Sequence, residues 1–176
     1  MLTGSEIKNR INNGTISIIP YNESQLNPNS YNLKLSPMLK RYTFSDGVLD
    51  SRKPNKTEMI EIPDSGLILE PGVLYLGSTV EETNCEDLVP CIDGRSSIAR
   101  LGINIHITAG FGDVGFKGHW TLEITVVHPI IIYPNMEICQ IYFEEVIGDT
   151  DMKYHGKYQN QNTPQESRLY EEYIKK

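Results

Sequence analysis

The residues whose types and spacing can do chemistry gather between Gly94 and Glu123, in GRSSIARLGINIHITAGFGDVGFKGHWTLE. Arg95, Ser96, Ser97 and Arg100 supply guanidinium and hydroxyl donors of the kind that hold phosphate oxygens. Gly110, Gly112, Gly115 and Gly118 follow, where a backbone free to take positive φ can approach a ligand closely, and Asp113 sits among them. Farther on, Trp120, Leu122, Ile124 and Val126 alternate with Thr121, Glu123 and Thr125. That period places Glu123 on the polar face of a half-buried strand, where a general base would have threonine hydroxyls beside it to orient water. The plainer alternatives are a solvated glutamate on a sheet face and, for Asp113, an Asx turn.

Other elements must position these groups. Ile103, Ile105, Ile107 and Ala109 alternate with Asn104, His106 and Thr108, which predicts a strand over 103–109 feeding the glycine turn. Upstream, Thr3 and Glu6 are spaced as a capping box with Leu2 and Ile7 as its staple, and Gly14 ends the short helix so begun. TISIIP reads as a strand, and Tyr31, Leu33 and Leu35 mark another after the Asn-Pro-Asn-Ser turn. Residues 41–66 read as a long loop or a loose hairpin without functional weight. LILEPGVLYLGSTVEE, LVPCIDG, IIIY and EICQIYFEEV then arrive as short strands separated by Pro-Gly, Asp-Gly and Pro-Asn turns, an all-β pattern.

At 176 residues with 14 Gly and 10 Pro the chain fits one compact, turn-rich domain. A formal net charge of -7 argues against nucleic acid as a partner, because that binding rests on clustered cations. It leaves room for a small anion, since Arg95, Arg100 and Lys157 can hold a triphosphate in one local pocket. No apolar run suits a signal peptide or a membrane span, which points to a cytoplasmic protein without a membrane partner. Cys85, Cys91 and Cys139 show no CxxC spacing and read as reduced, structural thiols. Val89-Pro90-Cys91 echoes half of a zinc deaminase signature, and the other half is missing. The four histidines lack metal-ligand spacing with one another. The polar stretch YHGKYQNQNTPQESR is either a disordered tail or a lid that orders over a ligand, and SRLYEEYIKK a short terminal helix or an ordered tail.

In order and in combination, QLNPNSYNLKL, GRSSIARLG, TAG, GDVGFKG followed by TLE, EICQ and GKYQNQ with Ser167-Arg168 resemble the dCTP deaminase family, which belongs with the trimeric dUTPases. The resemblance implies a distorted jelly-roll barrel, a homotrimer with sites shared between subunits, and zinc-free deamination. It makes Glu123 the general base, Asp113 the sugar-side acid, and Ser96 and Arg100 stabilisers of charge near the reacting centre. Arg95 and Ser97 would hold phosphates, Phe116 would pack on the deoxyribose, and Gln140, Lys157, Gln161 and Tyr154 would reach the nucleotide. Ala109, Gly110 and Thr121 would line the same pocket. Mg²⁺ would come with the triphosphate, and dTTP would act as inhibitor.

Thr108-Ala109-Gly110 followed by Phe111 is similar to the bifunctional branch, which also hydrolyses dUTP to dUMP and diphosphate. A small residue at Gly110 would leave room for a second water. The resemblance implies one domain over 1–176, with about 151–176 as the lid. Gly112-Asp113-Val114 departs from the family's Ile-Asp-Pro, so a turn without its apolar anchor and proline lock is expected there. A deaminase that stops at dUTP, a dUTPase alone and a catalytically silent nucleotide-binding module are the alternatives.

Overall fold

A computed structural model describes residues 1–44 and 47–174. Ser45 and Asp46 of the expected 41–66 loop, and Lys175 and Lys176 of the expected terminal segment, lie outside the described residues.

The chain opens with helix α1 (Gly4–Asn12), where the Thr3 hydroxyl accepts the Glu6 N–H at 3.3 Å. The box is half made, because the Glu6 carboxylate turns to Arg10 at 3.0 Å. Leu2 and Ile7 are both buried, and Gly14 follows the helix at φ 82°. Strands β1 (Ile16–Ile19), β2 (Tyr31–Lys34), β3 (Met38–Tyr42), β4 (Thr57–Glu61), β5 (Leu67–Leu69), β6 (Tyr75–Cys85) and β7 (Leu88–Gly94) come next. One helical turn, α2 (Ser96–Ala99), precedes β8 (Ile103–Asn104), β9 (Lys117–Val126), β10 (Ile130–Ile132) and β11 (Glu137–Glu145), and a last turn, α3 (Glu171–Ile174), ends the described chain.

The strands form one sheet in the order β4-β3-β6-β9-β8 with β1 on the far half of β6, a second in the order β2-β11-β7, and a β10-β5 ribbon. Among the described strands the pairing leaves these sheets open, so the expected barrel is realised as sheets facing a single core. That core takes its largest fully buried side chains from β2, β9 and β11, among them Tyr31, Leu33, Leu122, Ile124 and Phe143. Each aliphatic group so placed stabilises the fold by about 1.5–3 kcal/mol. Within the expected 41–66 loop or loose hairpin, residues 57–61 pair antiparallel with 38–42 as the β3–β4 hairpin, and residues 62–66 follow as a turn.

A buried polar cluster ties the two main sheets. Glu81 on β6 is 1% exposed, and its carboxylate oxygens accept from Gln25 Nε2 at 2.8 Å and from the Lys34 N–H at 2.9 Å. Both oxygens are thus satisfied away from water, the condition for burying a carboxylate at tolerable cost.

The strand expected over 103–109 is the main correction. Only Ile103 and Asn104 pair with β9, opposite Val126 and Thr125. Ile105 stays buried, whereas Ile107 is 58% exposed. The ladder stops because the Ile107 N–H is taken by the Glu123 carboxylate, Oε2, at 3.2 Å, which turns the chain across the polar face of β9. Residues 110–112 then lie along the free edge of β7: Ile92 N–H donates to the Gly110 carbonyl at 2.5 Å and Gly112 N–H to the Pro90 carbonyl at 2.7 Å.

Candidate active site

The expected alternation holds through β9, where Trp120, Leu122, Ile124 and Val126 are buried and Thr121, Glu123 and Thr125 are half-buried. The polar face of β9 is one wall of a cleft of about 480 Å³. Ala109, Asp113, Phe116, Thr121 and Glu123 line it together with Tyr154 and Gln161 from the C-terminal segment. Its floor is aromatic. The Phe116 ring lies 4.7 Å from Trp120 and 5.8 Å from Tyr154, centre to centre, and Trp120 is fixed by its indole N–H to Thr83 Oγ1 at 2.8 Å. An apolar aromatic floor beside a carboxylate with one oxygen held by a backbone N–H suits a sugar and base next to a proton acceptor.

Asp113 is exposed at the mouth, and the turn carrying it is pinned despite lacking proline. Its carbonyl accepts the Phe116 N–H at 3.1 Å, Gly115 N–H donates to the Cys85 carbonyl at 3.0 Å, and the Val114 carbonyl accepts the Tyr154 N–H at 2.8 Å. Tertiary bonds to the end of β6 and to the tail do here what a proline would do locally. The glycines of this turn serve packing. A Cβ at Gly112 would stand 2.4 Å from Trp120, and one at Gly118, φ 149°, would stand 2.9 Å from the Gln161 carbonyl oxygen.

The C-terminal segment is ordered along this face. Gln161 forms a parallel bridge with Gly118, and its side-chain amide donates to the His119 carbonyl at 2.7 Å. The Gln159 amide donates to the Gly115 carbonyl at 2.8 Å, Thr121 Oγ1 accepts the Gln165 N–H at 3.1 Å, and the Tyr42 hydroxyl accepts the Ser167 N–H at 2.9 Å. Tyr42, Tyr158, Gln165, Glu166 and Ser167 therefore also line the cleft, and sequence reasoning missed them. The one signal for Tyr42 was its two-residue spacing from Lys40, which puts both on one face of β3, and the tail has no periodicity to read. Burial would raise the Glu166 carboxyl, but its bond to Lys40 and other favourable contacts outweigh that and hold it below its ordinary range. Burial raises the Tyr42 phenol, and the charges of Glu166 and Glu123 add to the effect.

The remaining predicted residues do not reach this cleft within one chain. Ser96, Ser97 and Arg100 are exposed on and just after α2. Arg95 is drawn to β11, donating to the Glu137 carbonyl at 2.6 Å with the Glu137 carboxylate 3.3 Å away. Gln140 donates to the Gly94 carbonyl at 2.9 Å and accepts from Ser30 at 2.7 Å. The Lys157 ammonium is paired with Glu172. Gly110 lines a separate hollow with His106, Asp93 and Tyr142. A Cβ on Gly110 would stand 3.0 Å from the Ile92 carbonyl oxygen and 3.1 Å from His106 Nε2, a tight fit that a side chain would have to press aside. Cys85, Cys91 and Cys139 are free and buried, and the described residues contain no group of three or more His, Cys, Asp or Glu arranged to hold a metal. No described helix is long and apolar enough to cross a membrane.

The family model described as dCTP deaminase-like matches residues 1–146. A dUMP-forming dCTP deaminase of Hathewaya histolytica is 55% identical over 173 residues, covering 98% of this chain and 99% of the relative. The protein of the same name from Clostridium acetobutylicum is 53% identical over 174 residues, with 99% of each chain covered. That of Leptospira biflexa is 52% identical over 176 residues, 100% of this chain and 99% of the relative. The crystal structure of 2'-deoxycytidine 5'-triphosphate deaminase from Agrobacterium tumefaciens superposes with a TM-score of 0.63 at 20% identity, over 82% of this chain and 48% of that longer one, a likeness of fold. With its sheets, its cleft and its full-length relatives in agreement, the chain belongs to the dCTP deaminase-like family.

Proposed function

We propose that this chain is a bifunctional enzyme that deaminates dCTP without zinc and then hydrolyses the dUTP to dUMP and diphosphate in the same site. The observation that carries the reading is Glu123, set on the polar face of β9 above the Phe116 floor with one oxygen occupied by the Ile107 N–H. The other oxygen is left to take a proton from water as that water adds to the amino-bearing carbon of cytosine. Glu123 returns protons to the ring nitrogen and the departing amine, so that dCTP and water become dUTP and ammonia. A second water then attacks the α-phosphorus, diphosphate leaves, and Asp113 at the mouth orients that water. The dUMP-forming names of relatives at 52–55% identity support the second step.

Ser96, Ser97, Arg95, Arg100 and Gln140 lie away from this chain's own cleft, and in a homotrimer a neighbouring copy would bring such a set to it. Leu101, Val127 and Ile131 are exposed apolar side chains, which supports self-association. Mg²⁺ would come with the triphosphate and supply neutralisation of its charge. dTTP, a deoxypyrimidine triphosphate like the substrate, competes for the same cleft. The whole chain acts as one cytoplasmic catalytic domain, with residues from about 151 onward as its cover.

Incubation with dCTP and Mg²⁺ followed by separation of the nucleotides tests this. dUMP with equimolar diphosphate is expected, and accumulation of dUTP would refute the second step. Glu123→Gln preserves size and a hydrogen-bond acceptor, so dCTP binding by calorimetry should persist while turnover falls about 10²–10⁴-fold.

A further inference from the structure

The β3–β4 hairpin is where the C-terminal segment comes to rest. Lys40 and Tyr42 are two residues apart on β3 and so share a face. The Lys40 ammonium meets the Glu166 carboxylate at 2.6 Å, with 16% of the lysine side chain exposed. Beside it the Tyr42 hydroxyl accepts the Ser167 N–H. Nearer the hairpin tip, the Arg52 guanidinium lies 5.0 Å from the centre of the Tyr173 ring. From the opposite side, Thr121 on β9 takes the Gln165 N–H. Residues 165–167 therefore span from β9 to β3, across β6, whose Leu76 is the register partner of Glu123.

This span has no helix or strand of its own, so side-chain contacts decide where it sits. Among them the Lys40–Glu166 pair carries full charges at short range and is part-buried, with 34% of the glutamate side chain exposed, which sets it apart from a fully exposed surface pair. Building on the deaminase reading of the cleft, we propose that Lys40, acting through Glu166, is a positioning residue that seats the C-terminal segment over Glu123, with the β3–β4 hairpin as its receiver. Lys40 touches no reacting atom. It acts by keeping Tyr158, Gln165 and Glu166 in the cleft wall, where they complete the enclosure of the substrate and exclude water.

The test uses the full chain with Lys40→Arg, Lys40→Glu, Glu166→Lys and the Lys40→Glu/Glu166→Lys swap. Each single charge reversal should raise KM for dCTP about 10–100-fold, the range for losing a charged hydrogen bond, while kcat stays within about twofold. The swap should recover most of the loss and Lys40→Arg should match wild type, which a merely structural lysine does not require. Amide exchange at Gln165, Ser167 and Arg168 gives a readout that needs no turnover. It should quicken about tenfold or more in the single reversals and return toward wild type in the swap. Unchanged exchange at these amides, or a swap as impaired as the singles, would overturn the proposal. If exchange responds as expected while neither wild type nor variants convert dCTP, the seat stands and the deaminase reading falls.

Discussion

Gly118→Ala separates tail docking from the stability of the sheet that receives the tail. Gly118 has φ 149°, a backbone region that side-chain-bearing residues rarely enter, and a methyl there costs about 1–3 kcal/mol in strain. The same methyl would stand 2.9 Å from the Gln161 carbonyl oxygen and 3.1 Å from its nitrogen. Both are backbone atoms, so no rotamer change relieves the overlap and the tail must lift. Lifting releases the Asn160 N–H to Lys117 bond at 2.8 Å, the His119 N–H to Gln161 bond at 2.9 Å and the Gln161 amide to His119 bond at 2.7 Å. At about 1 kcal/mol each, these amount to roughly 3 kcal/mol of local protection. The expected result is about 100-fold faster hydrogen exchange at the His119 and Asn160 amides, measured by mass spectrometry on the native protein. Exchange in the interior of β9, around Leu122 and Ile124, should change far less, because those residues remain buried. Unchanged exchange at His119 and Asn160 would show that the tail is not held by this bridge. Uniform acceleration along all of β9 would show that the glycine serves the sheet instead.

Gly112→Ala places a methyl 2.4 Å from the Trp120 ring, which is tethered by its bond to Thr83. Overpacking of this kind should cost about 1–3 kcal/mol in thermal melts and disturb the Phe116 floor, lowering kcat/KM, and an unaltered melting temperature speaks against it. The depressed Glu166 carboxyl, faced by Lys40, Arg168 and Tyr42, has a defined sign. Its contribution is complete above the ordinary glutamate value of about 4.3 and is lost as pH falls through the lower folded value. Exchange protection at Ser167, corrected for intrinsic rate, should therefore hold down to about pH 4.3 and fail below it; loss already near neutrality contradicts the pairing. Burial pushes the Cys85 thiol up to about 11 and raises the fully enclosed Cys139 as well. Iodoacetamide should label these thiols slowly in the folded chain at neutral pH and rapidly in denaturant, and fast labelling of the native protein would refute their burial.

The alternation across Thr121–Val126 was enough to put Glu123 on the polar face of a strand, because side-chain period and sheet geometry are local properties. The same holds for the Thr3 cap and for the Tyr31–Leu33–Leu35 pattern, whose apolar members are all buried. Local rules failed where a distant partner intervened. Alternation at 103–109 promised a strand, and the Glu123 carboxylate took the Ile107 N–H that a ladder would have used. The departure at Gly112-Asp113-Val114 promised a loose turn, and bonds to Cys85 and Tyr154 hold it.

By itself, then, the sequence determined the mainly β character of the chain, the placement of Glu123 and the motif set that marks its family, all carried by short-range periodicity and residue type. Tertiary structure alone decided which of these residues meet. It set Glu123, Asp113 and Phe116 on one cleft and left the Ser96–Arg100 cluster outside it. It also laid an unpatterned tail across β9 onto Lys40 and Tyr42, because those contacts join residues more than a hundred positions apart, and no local signal encodes such a separation.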